Sequence, residues 1–209
     1  MDLSAFKKDF DSIRKSGKFI VGLTGQVGCG KSSALEYFRR RGFFCVDSDN
    51  LAKEVLTFKE CCSKLIKRFG CFLLKKDGSI DRHALAEKVF FNESALKWLE
   101  RLLHPAITKE IIRLLKESDE KVAIIDVPLL FESRFDLFCD LTVCVCAAKK
   151  VRVKRLLRKG WQRTDICRRT NAQYTMERKA EKSDIVVFNN GSLENLYSQI
   201  EVICKILEQ

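Results

Sequence analysis

The chain has 209 residues, of which 46% are hydrophobic and 32% charged, with 15 Phe and only 2 Pro; this is too much core material for a disordered chain and too many charges for a fibrous or membranous one. Its longest apolar runs, such as Val122 to Leu130 broken by Asp126 and Pro128, fall short of the ~20 residues that span a bilayer, and Met1 to Lys18 has no continuous apolar centre, so neither a membrane helix nor a secretory signal is expected and the protein is expected in the cytoplasm. The formal charge is +11, but Lys149 to Lys179 holds twelve basic residues against Asp165 and Glu177, a net +10, which suits a compact anion better than the broad basic face of a DNA binder.

Leu3, Phe6, Phe10 and Ile13 recur at spacings of three and four and predict a short amphipathic helix, an extension over residues 1–17. Lys18 to Leu23 reads as a strand that leads into Gly25-Gln26-Val27-Gly28-Cys29-Gly30-Lys31-Ser32. Ala34, Leu35 and Phe38 then carry helical spacing until Gly42. Phe43 to Asp47, Lys121 to Asp126, Leu141 to Cys146 and Ile185 to Phe188 predict four more strands. All five are nearly continuous apolar runs separated by helical segments, which indicates an α/β fold with a five-stranded parallel sheet flanked by helices on both faces.

Between the second and third strands lies a mostly helical insertion, roughly Leu51 to Glu117, too long for a simple crossover and expected to form a subdomain. Asp77-Gly78-Ser79 marks a turn in it, and Asp81 is the expected N-cap of a helix from Arg82 to Phe90. Trp98, Leu99, Leu102 and Leu103 give the next helix a buried face, which His104-Pro105 is expected to interrupt. A last helix carries Leu193, Leu196, Ile200, Ile203 and Leu207 on one stripe. The expected organisation is one domain: extension 1–17, nucleotide-binding core 18–50 and 120–209, helical subdomain 51–119, and a lid at 149–180 within the core. The ten cysteines sit in apolar stretches, no Cys-x2-Cys pair occurs and His83 and His104 are the only histidines, so free buried thiols are expected rather than disulfides or a zinc site.

Gly25-x4-Gly30-Lys31-Ser32 fits the P-loop pattern, in which backbone N–H groups from Gly25 to Ser33 face the phosphates of ATP and the following helix adds its dipole. Lys31 then reaches the β- and γ-phosphates, and the Ser32 hydroxyl binds Mg²⁺. The Asn-Lys-x-Asp element of guanine-selective GTPases is missing, since Asn171-Ala172 and Asn189-Asn190-Gly191 do not fit it, and there is no Ser-Gly-Gly signature of transport ATPases. A small-molecule kinase remains, with an Arg-rich lid at Lys149 to Lys179 that is expected to be mobile and ordered by its substrates. Asp49, just beyond the second strand, stands at the carboxyl edge where ligands of α/β sheets bind, and it suits a carboxylate that accepts a hydroxyl proton or aligns the hydroxyl. Asp126 follows its strand as a Walker-B acid does, which favours metal assistance; Asp47 and Asp126 can equally cap helices at strand ends.

With these residues in view, the chain resembles the dephospho-CoA kinase family from Phe19 to about Gly191. The resemblance is carried by Gly22-Leu23-Thr24-Gly25 with the P-loop, Val46-Asp47-Ser48-Asp49, Asp77-Gly78-Ser79-Ile80-Asp81-Arg82, Leu103-His104-Pro105, Asp126-Val127-Pro128-Leu129-Leu130-Phe131-Glu132, Lys154-Arg155, Gln173 and Asn189-Asn190-Gly191. It implies a P-loop kinase fold, ATP with Mg²⁺, and transfer of the γ-phosphate to the ribose 3′-hydroxyl of dephospho-CoA, the last step of coenzyme A synthesis. It further implies Asp49 as catalytic carboxylate, Arg155 as the lid arginine near the phosphates, and Asp47, Arg82, His104, Pro128, Phe131 and Glu132 toward the acceptor. Asn190 is placed near adenine by the same likeness, with a turn-forming role as its alternative. Two positions depart from the family: Cys29 stands where Ser is frequent, and Arg158-Lys159-Gly160 replaces a more usual Arg-Asp ending of the lid. A small-molecule partner is expected, without nucleic acid or membrane. The competing readings are another P-loop nucleoside or nucleotide kinase, which differs only in acceptor, and a nucleic-acid-binding P-loop protein, which predicts salt-sensitive oligonucleotide binding without turnover.

Overall fold

The computed structural model describes residues 4–90 and 92–209; Leu3, assigned to the N-terminal helix, lies outside them. The apolar run Phe19–Thr24 forms β1 with five of its six residues buried, the condition that selects a strand covered on both faces. β2 (Phe44–Asp47), β3 (Val122–Asp126), β4 (Leu141–Cys146) and β5 (Ile185–Phe188) complete an all-parallel sheet in the order β2-β3-β1-β4-β5. Leu23 and Asp47 are both register partners of Asp126, so the P-loop, Asp47 and Asp126 leave the sheet at one level of its carboxyl edge.

The described chain divides into two compact units. The first comprises residues 4–47 and 115–209 and holds the sheet. α2 (Lys31–Arg40) and α10 (Leu193–Leu207) pack in one core with Leu23, Val143, Val145 and Val187, contributing Phe38, Leu196, Ile200 and Ile203. α1 (Lys7–Lys15) is the expected N-terminal helix, and its Phe10 has no solvent exposure. That ring stacks on Phe138 at 4.2 Å and meets Phe135 edge-on at 5.6 Å, while Arg14 pairs with Asp140 at 2.8 Å and Asp9 with Lys116 at 2.6 Å.

The second unit, Ser48–Leu114, holds α3 (Ser48–Val55), α4 (Lys59–Phe69), α5 (Arg82–Phe90) and most of α6 (Glu93–Glu117) around its own core of Val55, Leu65, Leu73, Leu85 and Leu99. Asp81 caps α5 as expected, its Oδ1 accepting the amides of His83 at 2.9 Å and Ala84 at 3.2 Å. The expected break at His104-Pro105 does not occur, because α6 runs unbroken through Pro105. Proline removes one N–H donor, at a cost of about 3 kcal/mol. Trp98, Leu99, Leu102 and Leu103 before it and Ala106 and Ile107 after it all belong to the same apolar cluster, and their burial offsets that cost.

The basic segment folds as three helices of the first unit, α7 (Lys149–Arg158), α8 (Arg163–Asn171) and α9 (Met176–Lys182). All ten cysteines are free thiols. No helix among the described residues is long and apolar enough to cross a membrane.

Candidate active site

The glycines of the phosphate loop are dictated by backbone and space together. Gly25 and Gly30 have φ of +144° and +103°; a Cβ on the first would collide with the Val145 carbonyl oxygen and one on the second with the Asn189 amide nitrogen. Gly30 is the N-cap of α2, so the first turn of that helix opens onto the loop with its amides and the positive end of its dipole. Lys31 reaches back over the loop, its Nζ donating to the Gly25 carbonyl at 3.1 Å. Cys29 is fully buried, and burial pushes its thiol pKa up.

Side chains from the basic segment and from the end of β5 clamp this loop. Gln173 Oε1 accepts the Val27 amide at 3.0 Å, and Gln26 Nε2 donates to the Tyr174 carbonyl at 2.8 Å. Arg152 is buried and donates to the carbonyls of Val27 and Ala147, each at 3.2 Å. Asn189 Nδ2 donates to the Cys29 carbonyl at 2.8 Å, and Asn189 Oδ1 accepts from Arg155 Nη2 at 3.1 Å. The other terminal nitrogen of Arg155, Nη1, is buried beside Gly30 and has no hydrogen-bond partner among the described residues. A buried guanidinium donor left open next to a phosphate loop is a receptor for an anionic oxygen.

Asp47 and Asp126 end adjacent strands in register, and Asp126 is buried at 6% exposure. Asp49 belongs to the helical unit, exposed in the first turn of α3. Arg82, the exposed first residue of α5, and His104, within α6, lie in the same unit as Asp49. Burial lowers the His104 pKa. After β3, the Pro128 carbonyl accepts from Gln173 at 3.3 Å and from Lys179 at 2.8 Å; Phe131 is buried, and Glu132 pairs with Lys179 at 2.9 Å. Asn190 accepts the Ala148 amide at 2.7 Å at the start of α7, and the neighbouring Asn189 donates to the Cys29 carbonyl of the P-loop. Ser32 is exposed at the second position of α2. Among the described residues no three His, Cys, Asp or Glu side chains converge on a metal position. A hydroxyl and one or two carboxylates, with phosphate oxygens to add, are nevertheless a donor set that suits Mg²⁺, which keeps few protein ligands.

Sequence reasoning missed Arg152 and Lys179 as individuals. Within a run of twelve basic residues, no spacing separates those that turn inward from those that face water.

A parallel sheet with a glycine loop after its central strand, clamped by arginine and amide side chains, defines a phosphotransferase of the P-loop kinase fold. The chain belongs to the dephospho-CoA kinase family, whose sequence profile matches residues 19–195. A dephospho-CoA kinase of Fusobacterium nucleatum is 34% identical over 189 residues, covering 90% of this chain and 98% of the relative. Among solved structures, a protein from Thermus thermophilus is 31% identical with a TM-score of 0.78, and the dephospho-CoA kinase from Campylobacter jejuni is 26% identical with a TM-score of 0.65; each comparison covers 91% of this chain and 98% of the other. α1 precedes the matched segment.

Proposed function

We propose that this kinase transfers the γ-phosphoryl group of ATP to the ribose 3′-hydroxyl of dephospho-CoA in the cytoplasm, giving coenzyme A and ADP. The observation that carries the reading is the open Arg155 Nη1 beside Gly30, a cation poised over a phosphate loop whose helix dipole and Lys31 supply the remaining positive charge. Backbone amides from Gly25 to Ser33 hold the phosphate chain, and Lys31 leaves the Gly25 carbonyl for the β- and γ-phosphates. Ser32 and Asp126 would hold Mg²⁺, with Asp47 beside Asp126 at the end of the adjacent strand. When bound, the ion neutralises charge on the β- and γ-phosphates. Asp49 accepts or orients the 3′-hydroxyl proton as the oxygen attacks phosphorus and the bond to the ADP oxygen breaks. The unit Ser48–Leu114, with Arg82 and His104, holds the CoA portion, and residues 159–171 form the moving part of the lid, because Arg152 on one side and Gln173 on the other are fastened to the P-loop.

Mass spectrometry of dephospho-CoA incubated with ATP, Mg²⁺ and the protein tests this reading. The expected product carries one added phosphoryl group on the ribose, and a folded Lys31→Ala protein forms it at least about a hundredfold more slowly. An unmodified acceptor with the wild-type protein, or undiminished product with Lys31→Ala, contradicts it.

A further inference from the structure

Lys179 has no solvent exposure, although it lies in the most basic segment of the chain. From α9 its Nζ donates to the Pro128 carbonyl at 2.8 Å and to Glu132 Oε2 at 3.0 Å, and it stands 3.5 Å from the Thr24 hydroxyl, the last residue before the P-loop. Glu132 also accepts the Tyr174 amide at 2.6 Å. Gln173 spans the same gap, from the Val27 amide to the Pro128 carbonyl, and Gln26 returns a bond to Tyr174. Three segments distant in sequence therefore meet at one ammonium: 24–27 leading into the phosphates, 128–132 following Asp126, and 173–179 at the base of the lid.

The sheet does not need this contact to form. The β1–β3 ladder and the bond from the Val127 amide to the Leu23 carbonyl at 2.9 Å already fix the two strands. A buried ion pair is also a poor source of net stability, because desolvation offsets most of its attraction. What the pair adds is registration of the segments beyond the strand ends, where the chemistry takes place.

We propose that Lys179 is a positioning residue for phosphoryl transfer: by tying Thr24, Pro128 and Glu132 together, it makes the phosphate loop, the segment behind Asp126 and the base of the lid one rigid body. This fixes the γ-phosphate relative to Asp126 and Arg155, and it rests on the phosphate-binding roles given above. Misplacement by about 1 Å costs on the order of a hundredfold in rate, so loosening this body acts on turnover more than on nucleotide affinity, which the loop amides supply.

The test compares the wild-type protein with Lys179→Met/Glu132→Gln, which removes both charges at once and leaves no buried ion unpaired. The expected double variant melts within about 5 °C of wild type, binds ATP within about threefold, and shows kcat lowered at least about tenfold. Wild-type kcat in the folded double variant overturns the proposal, and so does a loss of kcat matched by an equal loss of ATP affinity. Hydrogen exchange on the wild-type protein gives a second readout that needs no variant. The amides of Val27 and Tyr174 are expected to exchange slowly and together, and a Tyr174 amide that exchanges as fast as those of α8 overturns the proposal. Wild-type turnover with dephospho-CoA reports on the activity itself, whereas the variant-to-wild-type ratio and the exchange pattern report on Lys179.

Discussion

Asp47 and Asp49 are two residues apart, yet they belong to different parts of the fold: Asp47 closes β2 beside Asp126, and Asp49 lies in the first turn of α3. In the proposed mechanism Asp49 accepts the proton and Asp47 supports the metal side, and a pair of isosteric substitutions separates the two roles. Asp49→Asn keeps the size and hydrogen-bonding capacity of the side chain but removes its charge, so turnover is expected to fall at least about a hundredfold with ATP affinity little changed. Asp47→Asn is expected to raise the Mg²⁺ concentration needed for half-maximal turnover more than it slows acceptor chemistry at saturating Mg²⁺. Steady-state turnover, nucleotide titration and thermal melts on both variants check this, and a loss confined to Asp47→Asn would move the catalytic carboxylate to the strand end. The glycines, Lys31 and Ser32 were legible in the sequence because their chemistry demands a fixed local spacing. Asn189 and Asn190 were not separable in that way: they are adjacent and chemically identical, and only the path of the chain after β5 turns the first toward Cys29 and the second toward Ala148.

The strands and the P-loop helix were readable from sequence because continuous apolar runs and a glycine-bounded amphipathic stretch leave few other structures open to them. α6 was not, since a proline signals a break locally while the packing that overrides it comes from the helices of Ser48–Leu114. α1 is an integral part of the core unit despite preceding the family match, because Phe10 is buried in a three-ring cluster with Phe135 and Phe138. Phe10→Ala is accordingly expected to cost about 3 kcal/mol or more, read as a lowered denaturation midpoint at unchanged slope. A change below about 1 kcal/mol would make α1 a loosely attached extension. The proposed lid divides at the element level too. ATP with dephospho-CoA is expected to slow hydrogen exchange across α8 while leaving α9, already fastened through Lys179, unchanged. Equal protection of both helices would mean that the whole basic segment closes as one piece.

For the molecule as a whole, the +11 charge is a local property, and the fold explains where it goes. Part of the basic segment is consumed internally: Arg152 and Lys179 are buried against carbonyls and Glu132, and Arg155 turns one donor to Asn189 and leaves the other open beside Gly30. That part of the charge is turned to the phosphate loop and its flanking segments rather than to solvent. The central claim is therefore an acceptor specificity built on a P-loop donor site, and release of ADP with dephospho-CoA, adenosine, AMP and pantothenate offered in parallel tests it most directly. ADP release is expected to be strongly stimulated by dephospho-CoA alone, and abolished when Mg²⁺ is chelated. Stimulation by adenosine or AMP equal to that by dephospho-CoA, or no stimulation by any acceptor, would contradict it.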